Sequence, residues 1–532
     1  MRGRGMETPH EVMTFLCPKL SQLKDPRSMK GMRKACERIV SAIESKEIIG
    51  IFTDYDVDGV CSAALVHRFM RAIGCPPPIL FIPDRVSDGY GLNKRGIDAL
   101  HQQGARLIIT SDCGITAIEE VSYANSLGID VIVTDHHEVD EEIPDAVSVV
   151  NPKRDDGLFF GEDLCGAGVV FHLIIALRSM LREKGMSNLP NLRDELDLVA
   201  MATVADAVSL AGVNRILVKE GLTVMNASLR TGISALVKVS GIKKEVISRD
   251  LGFILGPRIN AAGRLSDARK AFDLLTTDDE SLADLLAQEL DGLNRKRRLH
   301  EQKVLEMALT QLKERGPLSN VVVVCGKDWH LGVLGIVASR LTGLYSRPAV
   351  VISLMEGIGI GSGRSVAGVD LHGALTEVSG LLNGFGGHKM AVGISIGEDQ
   401  ISSFSLALNE VIGSHLTDEQ QRFEVDLKIS PFDLTPELLK ELEQLAPFGE
   451  GNPEPVFMIP SMEIVGRKNY EDGQVKLLFK HSNRVFHALR CTINYDFCKT
   501  SRFFDVAFTP VTMRLNGHSY LYLSLKALSP SR

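Results

Sequence analysis

Long hydrophobic runs are absent from this 532-residue sequence. No apolar stretch approaches the ~20 residues of a membrane-spanning helix, so the expectation is no membrane segment. Near the start, Glu7, His10 and Glu11 interrupt any signal-peptide core. The nine cysteines include no Cys-x-x-Cys pair. That argues against zinc ligands or a disulfide frame and fits reduced core thiols in a cytoplasmic protein. Low-complexity tracts and short-period repeats are missing as well. Positive charge is not in excess. A net charge of −8 weighs weakly against a chain coated in nucleic acid. It leaves nucleic acid open as a substrate, since an acidic metal site hides negative charge and basic patches act locally. Hydrophobic content of 44% and charged content of 24% suit a globular chain of two to four domains.

What is present is a repeated pattern of apolar runs that end in acids or histidines. Ile48-Ile49-Gly50-Ile51-Phe52 leads into Asp54, Asp56 and Asp58. Ile108-Ile109-Thr110-Ser111 leads into Asp112, and Val131-Ile132-Val133-Thr134 into Asp135, His136 and His137. Carboxylates this close oppose joint ionisation unless they share a cation. The candidate metal ligands are Asp54, Asp56, Asp58, Asp112, His136 and Asp206. Hard oxygens with one or two imidazoles suit Mn²⁺ or Mg²⁺ better than structural zinc. Two such ions can activate a water and stabilise the leaving oxygen of a phosphodiester. Asp112, between the other clusters in strand order, is the natural bridging ligand. One of Asp54, Asp56 and Asp58 also has the position of a helix cap. His136 and His137 point to opposite sides of an extended segment, which suggests one ligand and one neighbouring acid/base group.

The expected architecture is α/β. Strands near 48–53, 79–82, 106–110, 129–133 and 146–150 alternate with helices near 59–74, 93–103, 116–127, 167–184 and 193–206. This predicts a doubly wound parallel sheet, with ligands gathering at its carboxyl edge. Residues 1–47 form a lead-in and 48–278 the first domain. Residues 279–317 form a helical connector of one helix or two, whose Arg295-Lys296-Arg297-Arg298 run reads as a solvated face or, less readily, a DNA contact. A smaller α/β domain follows at 318–415, and a β-rich domain at 420–532.

Taken together, Asp54-Tyr55-Asp56-Val57-Asp58-Gly59, Ser111-Asp112-Cys113-Gly114 and Asp135-His136-His137-Glu138 resemble the successive motifs of the DHH phosphoesterase superfamily. Asp88-Gly89-Tyr90-Gly91-Leu92, Asn151-Pro152, Thr203-Val204-Ala205-Asp206 and Gly256–Leu265 are similar to its RecJ branch. So are Trp329–Ile336, Gly361–Ser365, Gly386-Gly387-His388 and Ala446–Pro453. The resemblance runs from about residue 20 to the C-terminus. It departs at Thr53, where Gly is usual and a tight loop could be altered, and at Leu331, where Pro is usual.

The resemblance implies a cytoplasmic, monomeric exonuclease that digests single-stranded DNA from its 5′ end in repair and recombination, with two Mn²⁺ or Mg²⁺ ions. It implies Asp112, His136 and His137 as catalytic residues, a DHHA1 domain at 318–415 and a C-terminal oligonucleotide-binding fold. Single-stranded DNA is the expected partner, with a single-strand-binding protein and a helicase as candidates. Two alternatives stand beside it. One is a phosphoesterase for short oligonucleotides or cyclic dinucleotides, which the third domain disfavours. The other is a non-catalytic binding relative, which would be expected to lose ligands that this chain keeps.

Substrate contacts are expected in Gly-rich loops of the second domain, at Arg364, Ser365, Gly387 and His388, whose backbone and cationic donors suit phosphate. Arg258, Asn260 and Arg264 either hold the phosphodiester chain or structure a helix entry. In the third domain Lys476, Phe479, Lys480, His481, Arg484, Phe486, His487 and Arg490 interleave basic and aromatic residues. That suits a single strand, unless the two phenylalanines belong to the core.

Overall fold

The structure, a computed structural model, describes all residues except 1, 86, 155–158, 160, 161, 229, 317, 318, 416–422, 471–473, 490, 492–500, 516, 517 and 532. It forms two compact units, one of Lys24–Asp206 with Gly221–Gln421, the other of Met1–Leu23, Ala207–Glu220 and Arg422–Arg532. Among the described residues no helix is long and apolar enough to cross a membrane, and the described cysteines are all free.

The larger unit opens on a parallel sheet in the order β2-β1-β3-β4-β5. Its strands are β1 (Ile48–Thr53), β2 (Ile79–Phe81), β3 (Ala105–Ser111), β4 (Asp130–Thr134) and β5 (Ser148–Val150). The predicted apolar runs are these strands. Ile51, Ile108, Ile109, Ile132 and Val133 are fully buried because helices cover both faces. The helices around the site are α1 (Val57–Ala72), α2 (Gly166–Glu183) and α3 (Leu196–Ala205). Strand order reverses between β1 and β3, and the crevice beyond their carboxyl ends is where such sheets bind ligands. Asp54–Asp58 and Asp112 lie there.

A helical layer follows, with α4 (Gly256–Leu265) entered through a π-helical turn at Leu251–Leu255. The connector is one helix of 36 residues, α5 (Glu280–Arg315). Its basic run is not a uniform solvated face. Arg297 is 8% exposed and donates to Glu301 Oε2 at 2.9 Å. Arg295 pairs with Asp291 at 2.8 Å, while Lys296 and Arg298 are exposed.

The second sheet runs β6-β7-β8-β10-β9, from β6 (Val322–Lys327), β7 (Ala349–Met355), β8 (Ile358–Arg364), β9 (Gly384–His388) and β10 (Ala391–Gly397). Helix α6 (Leu331–Tyr345) packs on it. Here the structure corrects the expectation of Gly-rich loops, since Gly361–Arg364 and Gly386–His388 are strand residues. Gly359, Gly361 and Gly363 recur with period 2 on the buried face. A Cβ at Gly361 would stand 2.8 Å from Ile394, and one at Gly363 2.6 Å from Val392. Neighbouring large side chains fill the space a residue would otherwise need, so glycine signals close packing here and not a turn.

In the smaller unit, strands β11 (Leu427–Lys428), β12 (Phe457–Asn469), β13 (Val475–His481), β14 (Arg484–Ala488), β15 (Phe503–Leu515) and β16 (His518–Pro530) form a sheet. Its order is β11-β12-β13-β14-β16-β15, and β12 also pairs with β15. That closes a barrel-like sheet of the oligonucleotide-binding kind. Phe479 and Phe486 are core residues. Tyr522 lies 5.4 Å beneath Lys476 and 5.9 Å from His487, and Phe432 lies 5.5 Å beneath Arg484. Arg490 lies outside the described residues.

The grouping of Met1–Leu23 and Ala207–Glu220 with this unit was not visible in the chain order. Buried Arg215 joins the three segments. It donates to Phe15 O at 2.7 Å, Leu445 O at 2.9 Å and Ala446 O at 2.9 Å, and stacks 3.6 Å over the Phe15 ring.

Candidate metal centre

Each strand end delivers its side chain through a local device. Asp56 caps α1, its carboxylate accepting from Asp58 N–H at 2.9 Å and Gly59 N–H at 3.1 Å. Asp58 Oδ2 and Oδ1 accept from the N–H groups of Gly166 (2.6 Å) and Ala167 (2.7 Å), in the first turn of α2. Asp112 has φ +62°, a left-handed conformation that Asp tolerates better than most residues. Asp206 closes α3. Thr53, the departure from the family pattern, donates to Gly59 O at 2.6 Å and Ser111 O at 3.1 Å. Its hydroxyl therefore ties the end of β1 to the first turn of α1 and to the end of β3.

All six expected ligands converge. His136 Nε2 lies 3.1 Å from Asp112, 3.5 Å from Asp206 and 3.7 Å from Asp58. Asp54, Asp56 and Asp112 offer oxygens within 4.8 Å of one another. Asp112 belongs to both this group and a second one with His136 and His137. Asp54 Oδ1, Asp112 Oδ1 and both ring nitrogens of His136 are buried without a hydrogen-bond partner. Unpaired buried oxygens and an imidazole at such spacing fit a divalent cation.

The electrostatics agree. Burial, then the charges of Asp58, Asp56 and Asp206, push the Asp112 carboxyl well above the usual range. Burial and Asp56 raise Asp58 to about 6. Burial and the charge of His137 lower His136 to about 3, so it is neutral and free to ligate. A raised carboxyl pKa adds stability at low pH that fades as pH climbs through the folded value. For Asp58 in the metal-free protein that window runs from the ordinary carboxylate range to about 6. Deprotonation also has to precede metal binding. Calorimetric Mn²⁺ titration should therefore show proton release and weaker binding at pH 5 than at pH 7.5. Equal affinity and no proton release would contradict the assignment.

His137 has a different setting. Its Nδ1 is 2.7 Å from Asp135 Oδ1. Asp135 also accepts from Ile115, His136 and His137 N–H groups, at 2.9, 2.7 and 3.1 Å. Asp135 is thus occupied as a support. Burial disfavours the charged His137 ring, but the hydrogen bond and charge of Asp135 raise its pKa overall. The Tyr90 hydroxyl stands 3.2 Å from the same ring. Tyr90 belongs to a motif visible in the sequence, yet nothing there assigns it this contact.

The expected substrate residues divide. Arg264 Nη1 donates to Gly332 O at 3.0 Å. Burial, then Arg85, Arg297 and Arg364, push its guanidinium down to about 10, while Asp56 opposes them. Arg264 and Arg364 therefore share a cationic cluster beside the first Asp loop. Arg85, 5.1 Å over the Tyr55 ring, completes it. Sequence reading missed Arg85, which no motif flags. Arg364 donates to Ser362 Oγ at 3.2 Å and Gly363 O at 2.8 Å.

Other candidates are engaged elsewhere. Arg258 donates to Asp291 at 3.0 Å and Ile254 O at 2.6 Å. Asn260 Oδ1 accepts from Val57 N–H at 3.0 Å, and Ser365 Oγ donates to Val369 O at 2.7 Å. These contacts brace α4, the first Asp loop and the second sheet. Gly387 and His388 are exposed on the edge strand β9.

Comparison with known proteins agrees with this geometry. The chain matches the models of the DHH family N-terminal domain over residues 48–203, the DHHA1 domain over 318–414 and the RecJ OB domain over 425–527. It is 39% identical to the single-stranded-DNA-specific exonuclease RecJ of Escherichia coli, across 81% of this chain and 78% of that one. Identity to the Bacillus subtilis protein of the same name is 36%, across 90% of this chain but only 61% of the longer relative. The crystal structure of RecJ from Thermus thermophilus in complex with Mn²⁺ superposes with a TM-score of 0.85 at 30% identity, covering all of this chain and 75% of that one. With its acidic and imidazole cluster at the switch point of the sheet, the chain belongs to the RecJ family of single-stranded-DNA-specific exonucleases.

Proposed function

We propose that this chain hydrolyses single-stranded DNA from the 5′ end, in the cytoplasm, during DNA repair and recombination. The observation that carries this is the meeting of Asp54, Asp56, Asp58, Asp112, His136 and Asp206 at one sheet edge beside an arginine cluster. Mn²⁺ or Mg²⁺ bound there would supply an activated water and offset charge on the leaving oxygen. The protein's own groups do the rest. Asp56, Gly166 and Ala167 hold the first carboxylates in place. Asp135 fixes Nδ1 of His137, whose other nitrogen is then placed to pass a proton to the leaving oxygen. Arg85, Arg264 and Arg364 hold the phosphates next to the scissile one and a 5′-terminal phosphate. His388, exposed on β9, is a candidate contact for the same strand. The β-rich unit, through Lys476, His487 and Tyr522, receives bases farther along. A single-strand-binding protein and a helicase are proposed partners of a monomer.

Arg364→Lys tests the division of labour. Lysine keeps the charge but loses the paired donors of guanidinium. Mn²⁺ affinity should be unchanged while single-turnover cleavage of a DNA strand falls roughly 10- to 100-fold, the worth of a charge-assisted hydrogen bond. Unchanged cleavage, or lost metal affinity, would show that the cluster does not position substrate.

A further inference from the structure

We propose that the groove between α5 and the β6–α6 segment is a nucleotide site, continuous with the metal centre, that takes one base and its phosphate. The inference rests on the nuclease reading above and extends the substrate path beyond the arginine cluster. Packed neighbours link the groove to the arginine cluster. Arg264 bonds Gly332 O, and Gly332 N–H donates to His330 Nδ1 at 3.1 Å. The His330 ring faces that of His300 on α5 at 5.2 Å, tilted by 43°.

From His300 the flank of α5 continues at helical spacing. Lys296, His300 and Lys303 are exposed, and Met307 is half-buried. Residues three and four apart share a helix face, so two lysines, an imidazole and a thioether line one edge. Farther along lies an open depression of about 370 Å³, lined by Glu306, Met307, Thr310, Gln311, Lys327 and Trp329 among others. That volume lies within the roughly 300–1,000 Å³ of small-ligand pockets.

Two features of the wall point to a ligand with both donors and acceptors. Trp329 Nε1 and Gln311 Oε1 are buried and have no hydrogen-bond partner. The Gln311 amide is oriented by its other end, which donates to Cys325 O at 2.6 Å. Both atoms sit beneath the surface among the lining residues, and a small shift of the two side chains would present this unpartnered donor and acceptor to the mixed edge of a nucleobase. Exposed Lys303 and Lys327 supply the charge for its phosphate, and the two imidazole rings offer flat faces for stacking. Gln302 donates to Glu306 at 2.9 Å and holds its carboxylate at the rim.

Such a site could be filled by the strand or by a released mononucleotide. Trp329 is the chain's single tryptophan, so its emission reports on the depression. Wild-type protein in chelator is titrated with deoxyadenosine 5′-monophosphate in one arm and oligothymidylate of ~12 nucleotides in the other. A saturable change of emission is expected, weakened at least roughly tenfold, about 1.4 kcal/mol, in each of the surface variants Lys327→Glu and His300→Ala. Response to the mononucleotide identifies product as the occupant. Response to the oligonucleotide alone identifies the strand. No response to either probe, or an equal response in both variants, overturns the site. Mn²⁺-dependent cleavage measured on the same preparation keeps the two readings apart. Cleavage with silent Trp329 removes only this site, and a response without cleavage removes only the nuclease reading.

Discussion

Asp112→Asn should leave a folded protein whose turnover of single-stranded DNA is lower by three or more orders of magnitude. Asp112 alone of the candidate ligands belongs both to the group with Asp54 and Asp56 and to the group with His136 and His137. Losing its charge weakens both halves of the centre, and several kcal/mol of transition-state stabilisation corresponds to about 10³ in rate. Asn is the better replacement because it tolerates φ +62°, where Ala adds backbone strain. The metal-free protein should not lose stability. Asp112 is buried among Asp58, Asp56, Asp206 and Asp54, all of which oppose its charge. A neutral side chain relieves that repulsion, so the metal-free melting temperature should hold or rise. Calorimetric Mn²⁺ titration should show weakened binding. Near-normal turnover in the folded variant would contradict a shared ligand.

The second large effect is expected at Gly166, a residue with no chemistry of its own. A Cβ there would stand 2.6 Å from Asp112 Cβ and 3.0 Å from Asp112 Cα. Neither atom belongs to a flexible tip, so either Asp112 or the first turn of α2 has to move. The same residue's N–H holds Asp58 at 2.6 Å. Gly166→Ala should therefore lose metal affinity and cleavage together and cost about 1–3 kcal/mol of stability, as overpacking does. Gly343 on α6 is a control, because a Cβ there meets nothing within 4 Å. Gly343→Ala should leave cleavage unchanged and, on helix propensity, raise stability slightly. Full activity in Gly166→Ala would mean that α2 and Asp112 are less closely packed than described.

These two positions also show what a sequence can and cannot disclose. Asp54, Asp56, Asp58, Asp112, His136 and Asp206 are legible because each ends an apolar run or a helix, and sheet topology brings such ends together. The strands of the first sheet begin and end within a few residues of their expected places, since buried parallel strands are continuous apolar runs. Gly166 is illegible because its role is the absence of a side chain against a residue 54 positions earlier. Arg85 carries no motif, and its proximity to Arg264 and Arg364 arises from tertiary packing alone. The glycines of β8 read as loop residues in the sequence because period-2 glycine beneath large neighbours looks locally like a flexible turn. Phe479 and Phe486 could not be told from stacking platforms until strand register turned them into the core. Arg215 is a further case. A lone arginine in an apolar helix gives no hint that it joins three distant segments by backbone carbonyls.

Metal-dependent hydrolysis of a single strand from its 5′ end is open to one direct test. The most direct measurement follows strands labelled at either end, with a blunt duplex in parallel, in chelator and after Mn²⁺ is restored. No cleavage is expected in chelator, and none of the duplex. With Mn²⁺ the 5′ label should be released as mononucleotide from the earliest times, while 3′-labelled strands shorten progressively. Cleavage in chelator, release of 3′ label first, or a duplex degraded as fast as its single strand would contradict that activity.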